Sequence, residues 1–500
     1  MILYEDNDWL AIAKPTGLPT HAPRAGVLGA VEWLRLHLGH ETHVVSRLDA
    51  GTSGVLLLAR SAAAAARAQA VHEAGAARKT YEFLTAGTGQ SETFICEDPL
   101  DDKPARTEFT RLDGRRWQAV ITAGRQHQIR RHAAARGLPL MGDNEYGGPP
   151  WPRLALHCVE VAWPGLEPIR CETPASFSEP GDLDWIVACE RRGGWPRAVT
   201  DAWRAVHREE VGGLPVAVDV YGPWLNAVWF DENIPAAEAV RRLEPLLDAV
   251  ADHAGCRGGV IRTHTRNPHR KGLVGETRVW REQPPATFTV TEHDLRYEID
   301  LLSTQHTGLF LDQRDTRRRL ALAAAGARMA NLFAFTCSFS VAAAAGTAEV
   351  VFSVDTAKAC LETGKANFAL NHLDTTGRGK FIQEDARKWL GRQERRRDQR
   401  PDEFVPLDLV VCDPPVFAVG KGGAKFALQD EWPRLAQSAA GLLRPGGSAL
   451  FVNNHRSGDH GQYRAQLAAV FGEVEDLRPP LDYPRLPGAA VHVRAFWCVR

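Results

Sequence analysis

The stretch VVSRLDAGTSG, residues 44–54, decides how the first third of this chain is interpreted. It is a polar loop between apolar residues, Val44-Val45 before it and VLLLA (residues 55–59) after it, and such short β-prone runs predict buried strands. The loop carries the carboxylate of Asp49, and its two glycines permit tight turns or close approach of a substrate. An acid on a rigid loop can act as a nucleophile or a base. Taken alone, however, the stretch favours a hairpin with a solvated Asp–Arg pair.

Five further motifs surround this loop in a fixed order. They are KPTGLPTH (14–21), RKTY (78–81), GRQHQIR (124–130), GDNEYG (142–147) and RLALH (153–157). This ordered set resembles the catalytic domain of the RluA-type pseudouridine synthases over about residues 1–185. The resemblance implies an α+β domain with a mixed sheet, placed at residues 1–188, and an isomerase activity that needs no cofactor.

The same resemblance assigns roles to four side chains. It implies that Asp49 is the catalytic aspartate and that Tyr81 stacks on the target base and takes the proton from C5. It also implies that Arg130 pairs with the aspartate and that Arg47 fills the hole left by the flipped base. Two positions depart from the family pattern, because Ser46 and Ala123 stand where the family usually has His and Thr.

Composition limits the classes of protein that need to be considered. The chain has 500 residues, which suggests about three domains of ~150 residues. Its 60 Lys+Arg and 61 Asp+Glu give a net charge of -1, so affinity for nucleic acid must come from local basic patches. The nine scattered cysteines favour a reducing compartment and argue against a disulfide framework or a metal site. With no signal peptide and no membrane-length apolar run, the sequence predicts a cytoplasmic protein without a membrane partner.

The middle of the chain predicts a small α+β domain at residues 200–295 that links the flanking domains and binds RNA. Residues 190–197 (ERRGGWPR) predict the first linker. Residues 214–230 predict two strands joined at Gly222-Pro223, followed by a helix at 236–251 and a strand at 259–262. The basic stretch RTHTRNPHRK (262–271) is interpreted as a phosphate-contact surface, whereas the charged stretch ERRRDQR (394–400) predicts a solvated loop.

From about residue 296 to the end, strands alternate with helices, as in a doubly wound α/β sheet. Thr336-Cys337-Ser338 follows one strand, and Asp355 ends the next, about where a ribose-binding carboxylate is expected. A Gly-x-Gly-x-x-Gly nicotinamide fingerprint is absent. Asp385 offers an acid near an adenine ring, and DPPVF (413–417) follows a later strand with a stiff loop and an aromatic ring for stacking.

The order TGLFLDQR (307–314), NLF (331–333), Asp355, Asp385, DPPVF (413–417) and NNHR (453–456) resembles the class I S-adenosylmethionine-dependent 23S rRNA methyltransferases of the RlmI and RlmK types. The resemblance covers about residues 200–500 and implies a Rossmann-like domain at 296–500 with S-adenosylmethionine as cofactor. It places five side chains in the cofactor site: Phe333, Thr336, Asp355, Asp385 and Asp413. Cys337 stands where that group usually has Gly, which puts the cofactor affinity in question.

The absence of a cysteine from one motif limits which base atom this domain is expected to methylate. A 5-methylcytosine enzyme needs a cysteine nucleophile, and the RlmI-type position for it reads FVNNHRS (451–457), without cysteine. The Asn-Asn pair resembles the RlmK type, which methylates guanine N7, an atom that needs positioning rather than activation. Pro414, Phe417 and Asn453 are the predicted substrate contacts. Methylation of adenine N6 stays open, because the same loop can hold an exocyclic amine.

The sequence thus predicts a bifunctional RNA modification enzyme with 23S ribosomal RNA or an assembly intermediate as its partner. Both reactions need an unstacked base, which favours single strands and loops over duplex. The alternatives are an RNA-binding assembly factor with only one active half, methylation of adenine N6 or cytosine C5, and transfer RNA as the substrate.

Overall fold

The computed structural model describes residues 1–22, 28–87, 91–177, 189–190, 194–208, 211, 214–230, 236–263, 277–303, 306–419, 425–455, 458–483 and 494–500. Its contacts divide the chain into two compact units. The first comprises Met1–Ala198, Val211–Leu214 and Ala237–Gly255, and the second comprises Val199–Glu210, Pro215–Ala236 and Cys256–Arg500. In the part of the chain that is described, no helix combines the length and apolar character needed to span a bilayer.

The first unit is built on one mixed sheet. Its strands are β1 (Ile2–Glu5), β2 (Trp9–Lys14), β3 (His43–Val44), β4 (Ser53–Ala59), β5 (Arg78–Leu84), β6 (Thr93–Cys96), β7 (Thr107–Asp113), β8 (Arg116–Ile121), β9 (Leu156–Ala162) and β10 (Ile169–Arg170). Their main order is β1-β2-β4-β9-β5-β8-β7-β6. Its helices are α1 (Ala30–Leu38), α2 (Ala62–Glu73), α3 (Gln128–Ala135) and α4 (Ala236–Ala254).

The strand predicted after the Asp49 loop is confirmed, but the one before it is wrong in its burial. All seven residues of β4 are buried, because β4 lies between β2 and β9 in the sheet. Val44 is exposed, since the two-residue β3 pairs only with the far end of β4 at Leu58 and Ala59. Ser61 is the N-cap of α2, because its hydroxyl oxygen accepts a hydrogen bond from the amide of Ala64.

The predicted linker at 190–197 is wrong at Trp195. Its side chain is buried, its ring lies 4.6 Å from the ring of Trp33, and its Nε1 donates a hydrogen bond to the carbonyl oxygen of Ala13 at 3.2 Å. Residues 191–193 lie outside the described part. Burial of the large indole stabilises the fold by several kcal/mol. This gain outweighs the tendency of the neighbouring Gly-Gly and Pro residues to form an exposed linker.

The second unit begins with a five-stranded sheet and a hairpin. The sheet has the order β11 (Ala202–Val206), β12 (Val216–Tyr221), β13 (Trp224–Trp229), β14 (Gly258–Thr263) and β15 (Thr277–Arg281), and the hairpin pairs β16 (Phe288–Glu292) with β17 (Leu295–Ile299). The predicted turn at Gly222-Pro223 is confirmed, because Tyr221 pairs with Trp224. Residues 264–271 of the predicted basic surface, and 209–210 of the segment before β12, lie outside the described residues.

The rest of the second unit is a doubly wound α/β sheet, as predicted. Its order is β20 (Gly379–Gln383), β19 (Val350–Asp355), β18 (Arg328–Leu332), β21 (Leu407–Cys412), β24 (Leu443–Asn453), β26 (Arg494–Val499) and β25 (Glu473–Leu477), with β26 antiparallel to its neighbours. A separate hairpin joins β22 (Phe417–Val419) and β23 (Lys425–Ala427). The helices are α5 (Arg314–Ala323), α6 (Ser338–Ala345), α7 (Lys358–Leu370), α8 (Ala386–Gln399), α9 (Leu428–Leu442) and α10 (His460–Ala468).

Side chains alternate between two cores along the central strands, as expected for a sheet covered on both faces. Leu450 and Val452 face a core that includes residues of α5, α6 and α7, whereas Ala449 and Phe451 face one that includes residues of α8 and α9. The predicted loop at 394–400 is wrong, because residues 394–399 form the last part of α8 and Arg400 is its C-cap. Its arginines and glutamate are good helix formers, so a charged stretch here marks the solvent face of a helix.

Candidate active sites

The Asp49 loop is clamped by the segment that contains the first motif. The buried ammonium of Lys14 donates hydrogen bonds to the carbonyl oxygens of Pro15 at 2.9 Å, Leu18 at 2.6 Å and Ala50 at 3.4 Å. Thr16 and Thr20 add hydrogen bonds of 2.8 Å to the carbonyl oxygens of Gly51 and Leu48. The clamp therefore fixes the backbone on both sides of the Asp49 carboxylate.

Gly54 is required where the loop enters β4. Its φ is +113°, which L-residues rarely adopt, and a Cβ at this position would overlap the carbonyl oxygen of Cys158 and lie 2.5 Å from its nitrogen. β4 and β9 meet in parallel here, with Gly54 opposite Cys158. Gly54 thus permits close approach of the β9 backbone, and the expected approach of a substrate at this loop stays a prediction.

The Asp49 carboxylate lies at the surface of the first unit, with 37% of its side chain exposed and the imidazole Nε2 of His127 3.7 Å from its Oδ2. The Nδ1 of His127 shares a 3.0 Å hydrogen bond with the Tyr146 hydroxyl. His127 is thus held in place by a hydrogen bond on the ring nitrogen that faces away from Asp49. Its position beside Asp49 was missed, because the two residues are far apart in the chain.

The expected pairing of Arg130 with Asp49 is corrected by the structure. The Arg130 guanidinium donates two hydrogen bonds of 2.7 Å to Asp143 and one of 3.0 Å to Glu145. In the described part of the chain, no ion pair links Arg130 to Asp49. The physical reason is burial, since the Asp143 side chain is 0% exposed and a buried carboxylate needs a paired cation.

Tyr81 lies in β5 opposite Cys158 of β9 and is buried. Burial raises the pKa of its phenol well above the usual value, and the nearby Cys158 and Asp49 raise the pKa further. The phenol therefore keeps its proton at neutral pH. Arg47 is exposed and forms no hydrogen bond or ion pair with another described residue.

The predicted site residues of the second unit lie at one edge of the doubly wound sheet. Phe333, Asp413 and Asp385 each follow a parallel strand, and Asp355 and Asn453 each end one. The strands are neighbours in register, since Leu332 pairs with Val354 and Cys412, Asp355 with Gln383, and Cys412 with Phe451. The carboxyl ends of adjacent parallel strands form the crevice in which open α/β sheets bind ligands.

The loop after β18 is strained. Phe333, Phe335 and Cys337 have φ values of 59°, 51° and 61°, in the left-handed region that non-glycine residues rarely occupy. Such strain costs about 1–3 kcal/mol per residue and clusters at functional sites. The carboxylate of Asp355 holds the loop, because Oδ2 accepts a 2.8 Å hydrogen bond from the Phe335 amide and Oδ1 accepts one of 2.8 Å from Ala357.

Thr336 and Asp385 are engaged within the protein. The Thr336 hydroxyl donates a 2.6 Å hydrogen bond to the carbonyl oxygen of Gly308, which ties the loop to the TGLFLDQR motif. Asp385 is the N-cap of α8 and also forms an ion pair with Arg387 at 3.0 Å. Hydrogen bonds and the charge of Arg387 lower the pKa of Asp385 against the effect of burial, so it is ionised.

Asp413 is a carboxyl group without a partner among the described side chains. Burial and, after it, the negative charge of Asp312 raise its pKa to about 7, while the charge of Arg317 acts in the opposite direction. Burial raises the pKa of Asp312 to about 6, although the charges of Arg204 and Arg317 act in the opposite direction. The sequence placed Asp312 in a motif but gave its side chain no role. Spacing in the sequence could not show that Asp312 lies close enough to Asp413 to raise its pKa.

The three predicted substrate contacts differ in exposure. Pro414 is buried, whereas Phe417 is 59% exposed and presents its ring to solvent. Asn453 is buried at the end of β24, and its Oδ1 accepts a 2.8 Å hydrogen bond from the amide of His455. That bond leaves the amide nitrogen of Asn453 available as a donor. Arg456, the last residue of the NNHR motif, lies outside the described residues.

Comparison with known families identifies both halves. Residues 218–496 match the family described as S-adenosylmethionine-dependent methyltransferase, and residues 8–135 match RNA pseudouridylate synthase. The chain belongs to the S-adenosylmethionine-dependent methyltransferase family, and its N-terminal part is a pseudouridine synthase domain of the RluA type. Both resemblances drawn from the sequence motifs are confirmed.

Curated relatives match slightly less than two thirds of this chain. The ribosomal RNA large subunit methyltransferase K/L of Shewanella sp. (strain MR-4) is 32% identical over 307 residues, or 60% of this chain and 40% of that protein. The ribosomal RNA large subunit methyltransferase K of Neisseria meningitidis serogroup B is 31% identical over 295 residues, covering 58% of this chain and 78% of that protein. The chain thus spans about 40% of the Shewanella relative's length.

Among solved structures, a putative methyltransferase complexed with SAH superposes with a TM-score of 0.51 at 20% identity, covering 74% of this chain and 98% of that one. This likeness supports the fold.

The residues present fit the family's cofactor, because each Asp355 oxygen accepts one amide hydrogen bond from the protein and retains a lone pair for a ribose hydroxyl. In the described part of the chain, no cluster of His, Cys, Asp and Glu forms a metal site.

Cys337, the departure from the family's glycine, has its side chain in the core rather than in the crevice. It is 0% exposed and packs with Ala334 and Leu361. Burial raises the pKa of its thiol to about 12. Gly364 of α7 makes room for it, because a Cβ at Gly364 would overlap the Cys337 sulfur and lie 2.8 Å from its Cβ. The expected obstruction of the cofactor by this Cβ therefore has no support in the geometry.

Proposed function

We propose that this protein modifies RNA with two activities, isomerising uridine to pseudouridine in its first unit and methylating guanine N7 of large-subunit ribosomal RNA in its second. The arrangement at the carboxyl edge of the doubly wound sheet carries the methyl-transfer half. There a strained loop anchored by Asp355 lies next to the unpaired carboxyl group of Asp413. The clamped, solvent-accessible Asp49 carries the isomerase half.

In the first unit, Asp49 is the group that attacks the target nucleotide. Its carboxylate is accessible, while the hydrogen bonds from Lys14, Thr16 and Thr20 hold its backbone. A preorganised nucleophile of this kind does not lose entropy when the base arrives. Tyr81 stacks on the flipped base, and because its raised pKa keeps the phenol protonated at neutral pH, the phenol in that state cannot accept the C5 proton. Arg47 is exposed and is assigned to the gap in the RNA stack.

The isomerase half is tested with Asp49→Asn. Asn is nearly isosteric but lacks the nucleophilic charge, so we expect loss of pseudouridine in a large-subunit ribosomal RNA transcript, measured by mass spectrometry of the digested RNA. Asp102→Asn is a matched control, because Asp102 is exposed in the same unit. Near-normal turnover by Asp49→Asn would reject Asp49 as the catalytic residue.

In the second unit, Asp413 is suited to hold the Watson–Crick edge of guanine. That edge presents the N1 and N2 hydrogens, and an ionised carboxylate accepts two such hydrogen bonds. The exposed ring of Phe417 is available for stacking on the base, and the Asn453 amide is a further donor. S-adenosylmethionine supplies the electrophilic methyl group when it is bound. Guanine N7 is already nucleophilic, so these residues need only position it.

Methylation of cytosine C5 needs a cysteine thiolate that adds to the pyrimidine ring. Cys412 precedes Asp413 but is buried, and burial together with the Asp413 charge raises the pKa of its thiol well above the usual value. A thiol that stays protonated does not add to C6 of cytosine. This observation favours guanine N7 over cytosine C5.

The methyl acceptor is tested by incubating the protein with labelled S-adenosylmethionine and either protein-free 23S ribosomal RNA or transfer RNA. We expect label in the ribosomal RNA, and strand scission at the labelled site after borohydride and aniline, which cleave at 7-methylguanine. Asp413→Asn should abolish the label, and Asp398→Asn on the exposed face of α8 is the control. N6-methyladenine without scission, 5-methylcytosine, or label in transfer RNA alone would overturn the assignment.

A further inference from the structure

The second unit contains a cavity away from the cofactor crevice. Its volume is about 190 Å³, and it lies beside α8 where β18 and β21 begin, at Arg328 and Leu407. The predicted cofactor and substrate residues follow the opposite, carboxyl ends of these strands. Because β18 has five residues at about 3.3 Å each, the two places are separated by roughly 15 Å along the strand.

The inner wall of this cavity, the α8 cavity, is aromatic and apolar. Phe352 and Trp389 line it with ring centroids 6.1 Å apart, and Phe404 and Val405 form the outer part. The Val405 side chain is 55% exposed. The wall therefore presents flat apolar surface that solvent reaches.

The rim of the α8 cavity is cationic. Trp389, Arg392, Gln393 and Arg396 all line it, and their i, i+3, i+4, i+7 spacing places them on one face of α8. Arg328 is the third arginine, and Glu403 is the one carboxylate among the residues that line the cavity. Arg392 is paired with Glu384 at 2.6 Å, while Arg396 has no ion pair with a described residue.

Arg328 supplies a second, independent observation. Its Nε is buried without a hydrogen-bond partner, and its Nη1 is 3.6 Å from Glu349. A buried N–H group that lacks an acceptor costs about 1–3 kcal/mol. Such a group at the edge of a cavity is explained when a ligand supplies the acceptor, and phosphate oxygens are the acceptors that guanidinium groups prefer.

We propose that the α8 cavity binds a nucleotide of single-stranded RNA, with a phosphate on Arg328 and Arg396 and a base against Phe404 and Phe352. Guanidinium groups beside aromatic rings are the combination that single-strand binding proteins use without reading sequence. The cavity holds the strand at the edge of the sheet opposite the crevice. It contains none of the residues assigned to either reaction, so it adds an anchoring site for the RNA.

The test is fluorescence anisotropy of the full-length protein with a labelled single-stranded RNA of about 12 nucleotides. Arg396→Glu should weaken binding about 10-fold and reduce the slope of log affinity against log salt by about 0.7 for the lost phosphate contact. The matched control is Arg395→Glu, which makes the same charge change on α8 at a residue that does not line the cavity. The control should change affinity less than about 3-fold and keep the slope.

A second variant tests the stacking wall. Phe404→Ala should weaken binding about 5-fold or more while leaving the salt slope unchanged, because stacking releases no counterions. Equal losses for Arg396→Glu and Arg395→Glu, or wild-type binding by Phe404→Ala, would overturn the proposal. So would tighter, Arg396-dependent binding of a labelled poly-glutamate peptide, which would make the site a protein contact. The assay contains no S-adenosylmethionine, so its outcome is separate from the test of the methyl acceptor.

Discussion

Gly364→Ala gives the sharpest test of the strained loop, because its effect depends on one other side chain. In an exposed helix, Ala in place of Gly gains about 1 kcal/mol. In α7 the new Cβ would overlap the sulfur of Cys337 and lie 2.8 Å from its Cβ. Overpacking of this kind costs about 1–3 kcal/mol, so we expect Gly364→Ala to destabilise the second unit despite the gain in helix propensity.

The partner substitution is Cys337→Gly. It removes the overlapping atoms and relieves a φ of 61° that costs a non-glycine residue about 1–2 kcal/mol. It also removes a small buried side chain, and we expect the two effects nearly to cancel. In the Cys337→Gly background, Gly364→Ala should then stabilise the unit by up to about 1 kcal/mol. The helix-propensity gain cancels in the double-mutant cycle, which therefore predicts a coupling free energy equal to the overpacking cost, about 1–3 kcal/mol.

The measurement is urea-dependent hydrogen exchange of peptides from residues 358–370, read by mass spectrometry, which follows α7 separately from the first unit. Gly391→Ala in α8 is the matched control, since its Cβ would meet only the end of Arg395 at 3.7 Å and should stabilise. Equal destabilisation by Gly364→Ala with Cys or Gly at position 337 would refute the packing argument. Calorimetry should show S-adenosylmethionine affinity changed by less than about 3-fold in Cys337→Gly, because the thiol faces α7.

Two further predictions concern stability. Trp195→Ala should destabilise the first unit by about 3–5 kcal/mol, because it removes a buried indole packed on Trp33. Urea unfolding, followed by hydrogen exchange of peptides from residues 30–38, should show this loss of stability. The control is Trp151→Ala, which removes a less buried indole. The raised pKa of Asp413, about 7, means that the folded state holds a proton which the unfolded state has lost, so stability falls as pH rises from about 4 to 7. Asp413→Asn should therefore stabilise the second unit increasingly over this range, and an effect independent of pH would contradict the assignment.

The doubly wound sheet and the placement of acids at one of its edges could be predicted from the sequence, because parallel strands place whatever follows them at the same edge. Asp355, Asp385 and Asp413 were identified in this way. The backbone of the loop could not be predicted. Phe333, Phe335 and Cys337 have no intrinsic preference for positive φ, and the loop is held there by the Asp355 carboxylate and by the space that Gly364 leaves.

The pairing of charges was predicted less well than their positions. Arg130 was expected at Asp49 but lies on Asp143, since the choice between two carboxylates depends on burial, which motif spacing does not report. Similarly, the arginines of 394–400 were assigned to a loop because charge indicates solvent exposure but does not distinguish a loop from the outer face of a helix. The α8 cavity follows from that helix and was missed with it.

The KPTGLPTH motif contacts the backbone of the Asp49 loop, which explains why a departure from the family pattern can leave this loop intact. Lys14, Thr16 and Thr20 bind the carbonyl oxygens of the loop, so they recognise the path of its backbone rather than its side chains. Ser46 lies outside the clamped carbonyls, and its hydroxyl hydrogen-bonds instead to the carbonyl oxygen of Leu57 at 3.4 Å. A side chain that the clamp does not contact can change without moving Asp49. The exchange of His for Ser at position 46 is therefore no argument against an active first unit.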